Sequence, residues 1–162
     1  MAFLRYLTVL VLAIWVGGLV AIGGIGAPTI FSALEGRDGA SGRETAGWLF
    51  GIVFDRFQQV SWVLAAVILI LLGIRAALGP RPRRFAVRVW MVSLMLAMSL
   101  ATSFLVAPRI NAIRVAVNGP IASLPATDER KITFGRLHGL SNGLMLLTVL
   151  VGFGLLWTES KE

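Results

Sequence analysis

His138, Ser141 and Asn142 stand three and four residues apart, so a helix carries them on one face. His138 is the only histidine, and a long apolar run follows it. An imidazole, a hydroxyl and a carboxamide set in apolar surroundings are costly, which makes a ligand site the default functional reading. Eighty residues earlier the pattern returns: Phe54-Asp-Arg-Phe-Gln-Gln-Val-Ser61 parallels Phe134-Gly-Arg-Leu-His-Gly-Leu-Ser141. Arg56 then matches Arg136, Gln58 matches His138, and Ser61 matches Ser141. At the same offset Ala27-Pro28-Thr-Ile30 parallels Ala107-Pro108-Arg-Ile110, followed by Asn111. A duplicated unit related by a pseudo-two-fold brings Arg56, Gln58, Arg109, Arg136, His138, Ser141 and Asn142 toward one end, with Asp55, Gln59 and Asn111 at the rim. That set is the candidate site for an anionic or polar ligand, or a metal. The plain alternative is that these groups lie at head-group depth, where arginines snorkel and the smaller polar groups bond neighbouring helices.

Other chemistries have less support. Met91, Met95 and Met98 fall on one helical face, and thioethers suit Cu(I), but such a stripe more often fills a core. With His138 they are the weak metal candidates. Ser141, His138 and Asp55 could in principle form a nucleophilic triad, yet no nucleophile elbow accompanies them. There is no phosphate loop, no paired histidine and no cysteine, hence no disulfide and no thiolate site. No cofactor is predicted, metal and haem are left open, and an enzyme stands third behind a transport and an assembly role.

The elements that position these residues are membrane helices. Of 162 residues 57% are hydrophobic and 14% charged, and mean hydropathy is +0.83. The charges avoid four windows: 29 residues between Arg5 and Glu35, 18 between Arg56 and Arg75, 20 between Arg88 and Arg109, and 22 between Arg136 and Glu159. A span needs roughly 20 mainly apolar residues. The expectation is an all-α integral membrane four-helix bundle with spans at about 4–27, 57–78, 87–107 and 137–157. It is one domain, residues 1–162, made of two tandem helix hairpins at about 1–78 and 85–158. Pro28 and Pro108 should end or kink the first and third helices. A loop should cover Ser32–Ser41, with Ser41-Gly-Arg-Glu44 as a capping box, and Thr127 should cap the last helix. The first apolar run is too long for a cleaved signal peptide.

The net charge is +7 and the pI near 11.5, values that would suggest nucleic acid in a soluble chain. Here the basic residues sit at helix ends, and no nucleic-acid role is expected. Arg75, Arg81, Arg83, Arg84 and Arg88 place five positive charges and no acid within 14 residues, across the Gly79–Arg84 turn. The positive-inside rule sets that turn and both termini on the cytoplasmic side of the membrane. Small residues at Gly17, Gly18, Gly24, Gly139 and Gly143 suit close helix packing. The expected partners are membrane lipids and either a second copy of the chain or a larger membrane protein.

Trp15-Val-Gly-Gly18, Ala27-Pro-Thr-Ile-Phe31, Ala107-Pro-Arg-Ile110 and Phe134-Gly-Arg-Leu-His-Gly-Leu-Ser-Asn142 resemble a bacterial family of unknown function related to eukaryotic transmembrane protein 205. That resemblance implies a four-helix integral membrane protein without assigned activity. More distantly, Trp-x-Gly-Gly is similar to the copper-resistance membrane-domain superfamily, which implies metal or drug tolerance, or efflux. A haem-associated family within it carries a functional histidine seven residues before the tryptophan, where this chain has Thr8. The reading is therefore a small transport or efflux component, with a structural or assembly subunit as the alternative.

Overall fold

The computed structural model describes residues 2–81, 83–117 and 119–161. Among them the chain is almost wholly helical: α1 (Ala2–Ala21), α2 (Ala27–Leu78), α3 (Phe85–Ala101), α4 (Ala107–Ala116) and α5 (Glu129–Ser160). Two π-helical segments, Ile22–Gly26 and Thr102–Val106, join α1 to α2 and α3 to α4 without a break. Three helical runs are therefore long and apolar enough to cross a membrane: Ala2–Leu78, Phe85–Ala116 and Glu129–Ser160. The chain is an all-α membrane protein. The sequence places four separate spans, whereas three such runs are present among the described residues.

The prolines explain much of that difference. Pro28 and Pro108 do not end a helix; each sits in the first turn of the next one. Before each, the backbone widens to i→i+5 bonding, Ala27 N–H donating to Ile22 O and Ala107 N–H to Thr102 O. The register change leaves the proline nitrogen where no donor is required, and its fixed φ then suits the new α-turn.

The expected loop at Ser32–Ser41 is also helical, apart from one residue. Gly39 has φ 57° and ψ −130°, a conformation that side chains with a Cβ rarely adopt. There α2 doubles back on itself. Arg43 reaches Glu35 at 3.2 Å, and the rings of Phe31 and Phe50 lie 6.4 Å apart. A Cβ at Gly42 would strike the Leu34 carbonyl, so the reversal is tight. Because the turn comes at Gly39, Ser41 already lies inside the returning helix. It caps nothing, and its carbonyl accepts from Thr45 Oγ1 at 3.1 Å. At α5 the cap is Asp128 rather than Thr127, its carboxylate accepting from Arg130 N at 2.8 Å.

The core follows from helical spacing. Leu12, Trp15, Val16 and Leu19 of α1 meet Ala65, Ile68 and Leu72 of α2, Val92 and Met95 of α3, and Val149 and Leu155 of α5. Glycine permits the closest approaches: a Cβ at Gly18 would enter the Phe57 ring, and one at Gly152 would meet Val16. Large apolar side chains such as Ile14, Val63, Ile70 and Leu150 point outward, as a lipid-facing surface requires.

Candidate functional site: the polar groups at the two ends

The duplicated polar row separates in space. Gln58 and Ser61 turn into the core, while Arg56, Arg109, Arg136, His138 and Asn142 are exposed and Ser141 is half-buried. Gln58 Oε1 accepts from Ser99 Oγ at 3.0 Å, and Ser99 Oγ accepts in turn from Trp62 Nε1 at 3.1 Å. This chain of bonds joins α2 to α3. Ser61 Oγ donates to the Phe57 carbonyl of its own helix. Arg56 donates to Gln59 and Gln59 to Asp55, each at 3.4 Å, so Asp55 is engaged along its own helix. His138 stacks on Phe134 one turn away, ring centroids 6.1 Å apart and 3° from parallel.

The residue that gathers this end together is Arg114. Its Nη1 donates to the Gly47 carbonyl at 3.1 Å, and its guanidinium lies over the Phe134 ring at 5.6 Å. Its Nε stands 3.6 Å from Glu44 Oε1, close enough for attraction but too long for a hydrogen bond. A Cβ at residue 47 would sit 2.7 Å from Arg114 Nη2, so only glycine lets the guanidinium lie against α2. Arg114 thus ties α4 to α2 and to the Phe134–His138 stack of α5. Beside it opens a shallow groove of about 280 Å³ lined by Glu44, Thr45, Trp48 and Arg114. The sequence reading chose Arg109 from this segment. The missed signal is that a helix continuing past Pro108 carries Arg114 more than one turn beyond Arg109.

A second polar constellation lies at the opposite end, where α2 turns into α3. Glu159 is wholly buried and accepts from Arg75 Nη1 at 3.0 Å and from Arg88 Nη1 at 2.8 Å. Arg88 Nη2 also donates to the Thr158 carbonyl at 3.1 Å. One carboxylate so joins α2, α3 and α5. These residues read in sequence as topology signals at span ends; only the packing shows that two of the five clustered arginines point inward. In the core Trp15 Nε1 is buried and finds no partner among the described residues.

Met95 and Met98 are buried and Met91 half-buried, with Met95 in the core cluster. Among the described residues no group of three metal-ligating His, Cys, Asp or Glu side chains exists. Of the five glycines marked for packing, only Gly18 closes on a neighbour; Gly17, Gly24, Gly139 and Gly143 face open space. The close approaches fall instead at Gly23, against Met145, and at Gly42, Gly47 and Gly152.

Residues 10–118, about two thirds of the chain, match the model of a domain of unknown function, DUF4149. The match holds Gln58, Arg75, Arg88 and Arg114 and ends before α5, which supplies His138 and Glu159. No curated protein and no solved structure matches the chain. The comparisons give nothing for transmembrane protein 205 or the copper-resistance superfamily. By the extent of its match to the family model, the chain belongs to the DUF4149 family.

Proposed function

We propose that this protein crosses the bacterial inner membrane four times, with both termini cytoplasmic, and binds a small polar ligand at its outer end as a component of a transport or efflux process. The Ala2–Leu78 run then supplies two crossings, one on each side of the Gly39 reversal. Two tandem hairpins are supported by burial at one offset: Leu12 and Val92, Trp15 and Met95, and Ile68 and Thr148 are all buried partners 80 residues apart. The two π segments are offset by the same 80 residues. Arg81, Arg83 and Arg84 are exposed at the α2–α3 turn and support its cytoplasmic placement.

The observation that carries the ligand-binding reading is the seating of Arg114. Its guanidinium is held by a backbone carbonyl, a ring and a distant carboxylate, and it borders an open groove. A charge positioned in advance costs little further ordering when a ligand arrives. Native mass spectrometry of gently solubilised protein should find a bound small molecule that is lost in Arg114→Gln. A ligand-free wild type, indistinguishable from the variant, would contradict the reading.

The outward glycines favour a second reading, an assembly role. Gly135, Gly139 and Gly143 recur every fourth residue on α5 with open space before them, and Gly17 of α1 and Gly24 of the π segment that follows it, seven residues apart, face open space too. Gly139→Leu should then abolish a cross-linked dimer or partner complex while leaving the fold intact. An unchanged cross-linking pattern would remove this reading.

A further inference from the structure

Glu44 and Arg114 face each other across 3.6 Å and neither is fully shielded, their side chains being 33% and 18% exposed. An ordinary closed ion pair would shorten to a charge-assisted bond of roughly 2.7–2.9 Å. Here Arg114 is engaged by the Gly47 carbonyl and Phe134, so a carboxylate and a guanidinium remain side by side at the groove without a short bond between them. A plain anion would meet the Glu44 carboxylate, and a plain cation the guanidinium. The chemistry that satisfies both is a zwitterion with its charges a few bonds apart.

The surroundings indicate where such a group comes from. Trp48 lines the groove and is 59% exposed, the placement expected of an interfacial tryptophan. Along α2 beyond it, Leu49, Ile52 and Val53 are exposed and apolar, a track suited to an acyl chain.

We infer that this groove binds an ammonium–phosphate zwitterion, the head group of an ethanolamine phospholipid, with the phosphate on Arg114 and the ammonium on Glu44. Trp48 follows Glu44 by one helical turn and lines the same groove, and an indole face attracts ammonium groups. This rests on the proposed outer-end binding role and names its ligand.

The test is native mass spectrometry of the full-length protein in detergent with equal amounts of phosphatidylethanolamine and phosphatidylglycerol. Wild type should retain the ethanolamine lipid over the glycerol lipid by about fivefold, the size of one charge-assisted contact at a partly exposed site. Glu44→Gln should abolish the preference while lipid is still retained, and Arg114→Gln should lose both lipids. If Arg114→Gln does not fold, Glu44→Gln decides alone. Displacement of the lipid by free phosphoethanolamine would assign a soluble zwitterion to the same groove, whereas failure to displace assigns the membrane lipid. Equal retention of both lipids by wild type, or a preference unchanged in Glu44→Gln, overturns the inference. A bound molecule of another class would overturn it too, and would leave the broader ligand-binding role standing.

Discussion

At the α2–α3 turn one buried carboxylate, Glu159, serves Arg75 and Arg88 at 3.0 and 2.8 Å. At the Gly39 end the charges stay near the surface: Arg114 and Glu44 stand 3.6 Å apart, and Arg56, Arg109 and Arg136 are exposed. The same residue types do different work in the two places. Fully desolvated charges with short bonds fix one arrangement of three helices, because loss of any partner strands a charge in low dielectric. Exposed or loosely paired charges contribute little to stability and remain available to a ligand. The difference teaches that in this chain the same residue types are told apart by burial and bond length: the buried set fixes the packing, and the accessible set is the one on which the proposed ligand role rests.

The sharpest way to break the comparison is Glu159→Ala. Removing the shared carboxylate should cost about 3–5 kcal/mol and lower the thermal unfolding midpoint in detergent markedly. A midpoint close to wild type would mean that the cluster is not structural. Next comes Gly18→Leu, which forces a side chain into Phe57 and should cost about 1–3 kcal/mol. Gly17→Leu, facing open space, should leave the same unfolding curve unmoved. Arg114→Ala should cost about 1–2 kcal/mol through the lost bond to Gly47, against under about 0.5 kcal/mol for the exposed Arg109→Ala. Equal losses at the two arginines would erase the distinction drawn at this end.

The smallest effect concerns Asp128. Its hydrogen bonds with Arg130 hold its carboxyl down at about 2, below the ordinary 3.8. A depressed carboxyl stabilises the fold above the unfolded value, and that contribution fades as pH falls through the folded one. Helicity at the start of α5, followed by amide exchange, should therefore be constant above pH about 4 and decline toward pH about 2. In Asp128→Ala that step should be absent.

How much of this was legible in the sequence depends on the distance over which each signal acts. The uncharged windows announced membrane helices because hydrocarbon thickness constrains every span alike. The Ala-Pro pairs were visible, but not their consequence. Whether a proline breaks a helix depends on the register of the turn before it, and the π segments at Ile22–Gly26 and Thr102–Val106 have no clear composition signal. Gly39 was hidden among five other small or charged residues of the same segment, 36–41, and only its positive φ singles it out. In the candidate site, Gln58 and His138 occupy matching sequence positions, yet one is buried on Ser99 and the other exposed on Phe134. Local spacing fixes a helix face; which face meets a neighbour depends on residues about 40 to 80 positions away. For the same reason Arg75 and Arg88 could not be separated from Arg81, Arg83 and Arg84 before packing was known.

The absence of cysteine allows single reporter cysteines to be read without background. Thr45 lines the groove, and Arg84 is exposed at the α2–α3 turn. The most direct test of the account is labelling of Thr45→Cys and Arg84→Cys in intact bacterial cells with a thiol reagent that does not cross the inner membrane. The account predicts that the cysteine at 45 reacts at once and the one at 84 only after the inner membrane is permeabilised. Reaction of both from the same side, or of position 84 alone, would contradict an outer ligand groove set opposite an inner ionic cluster.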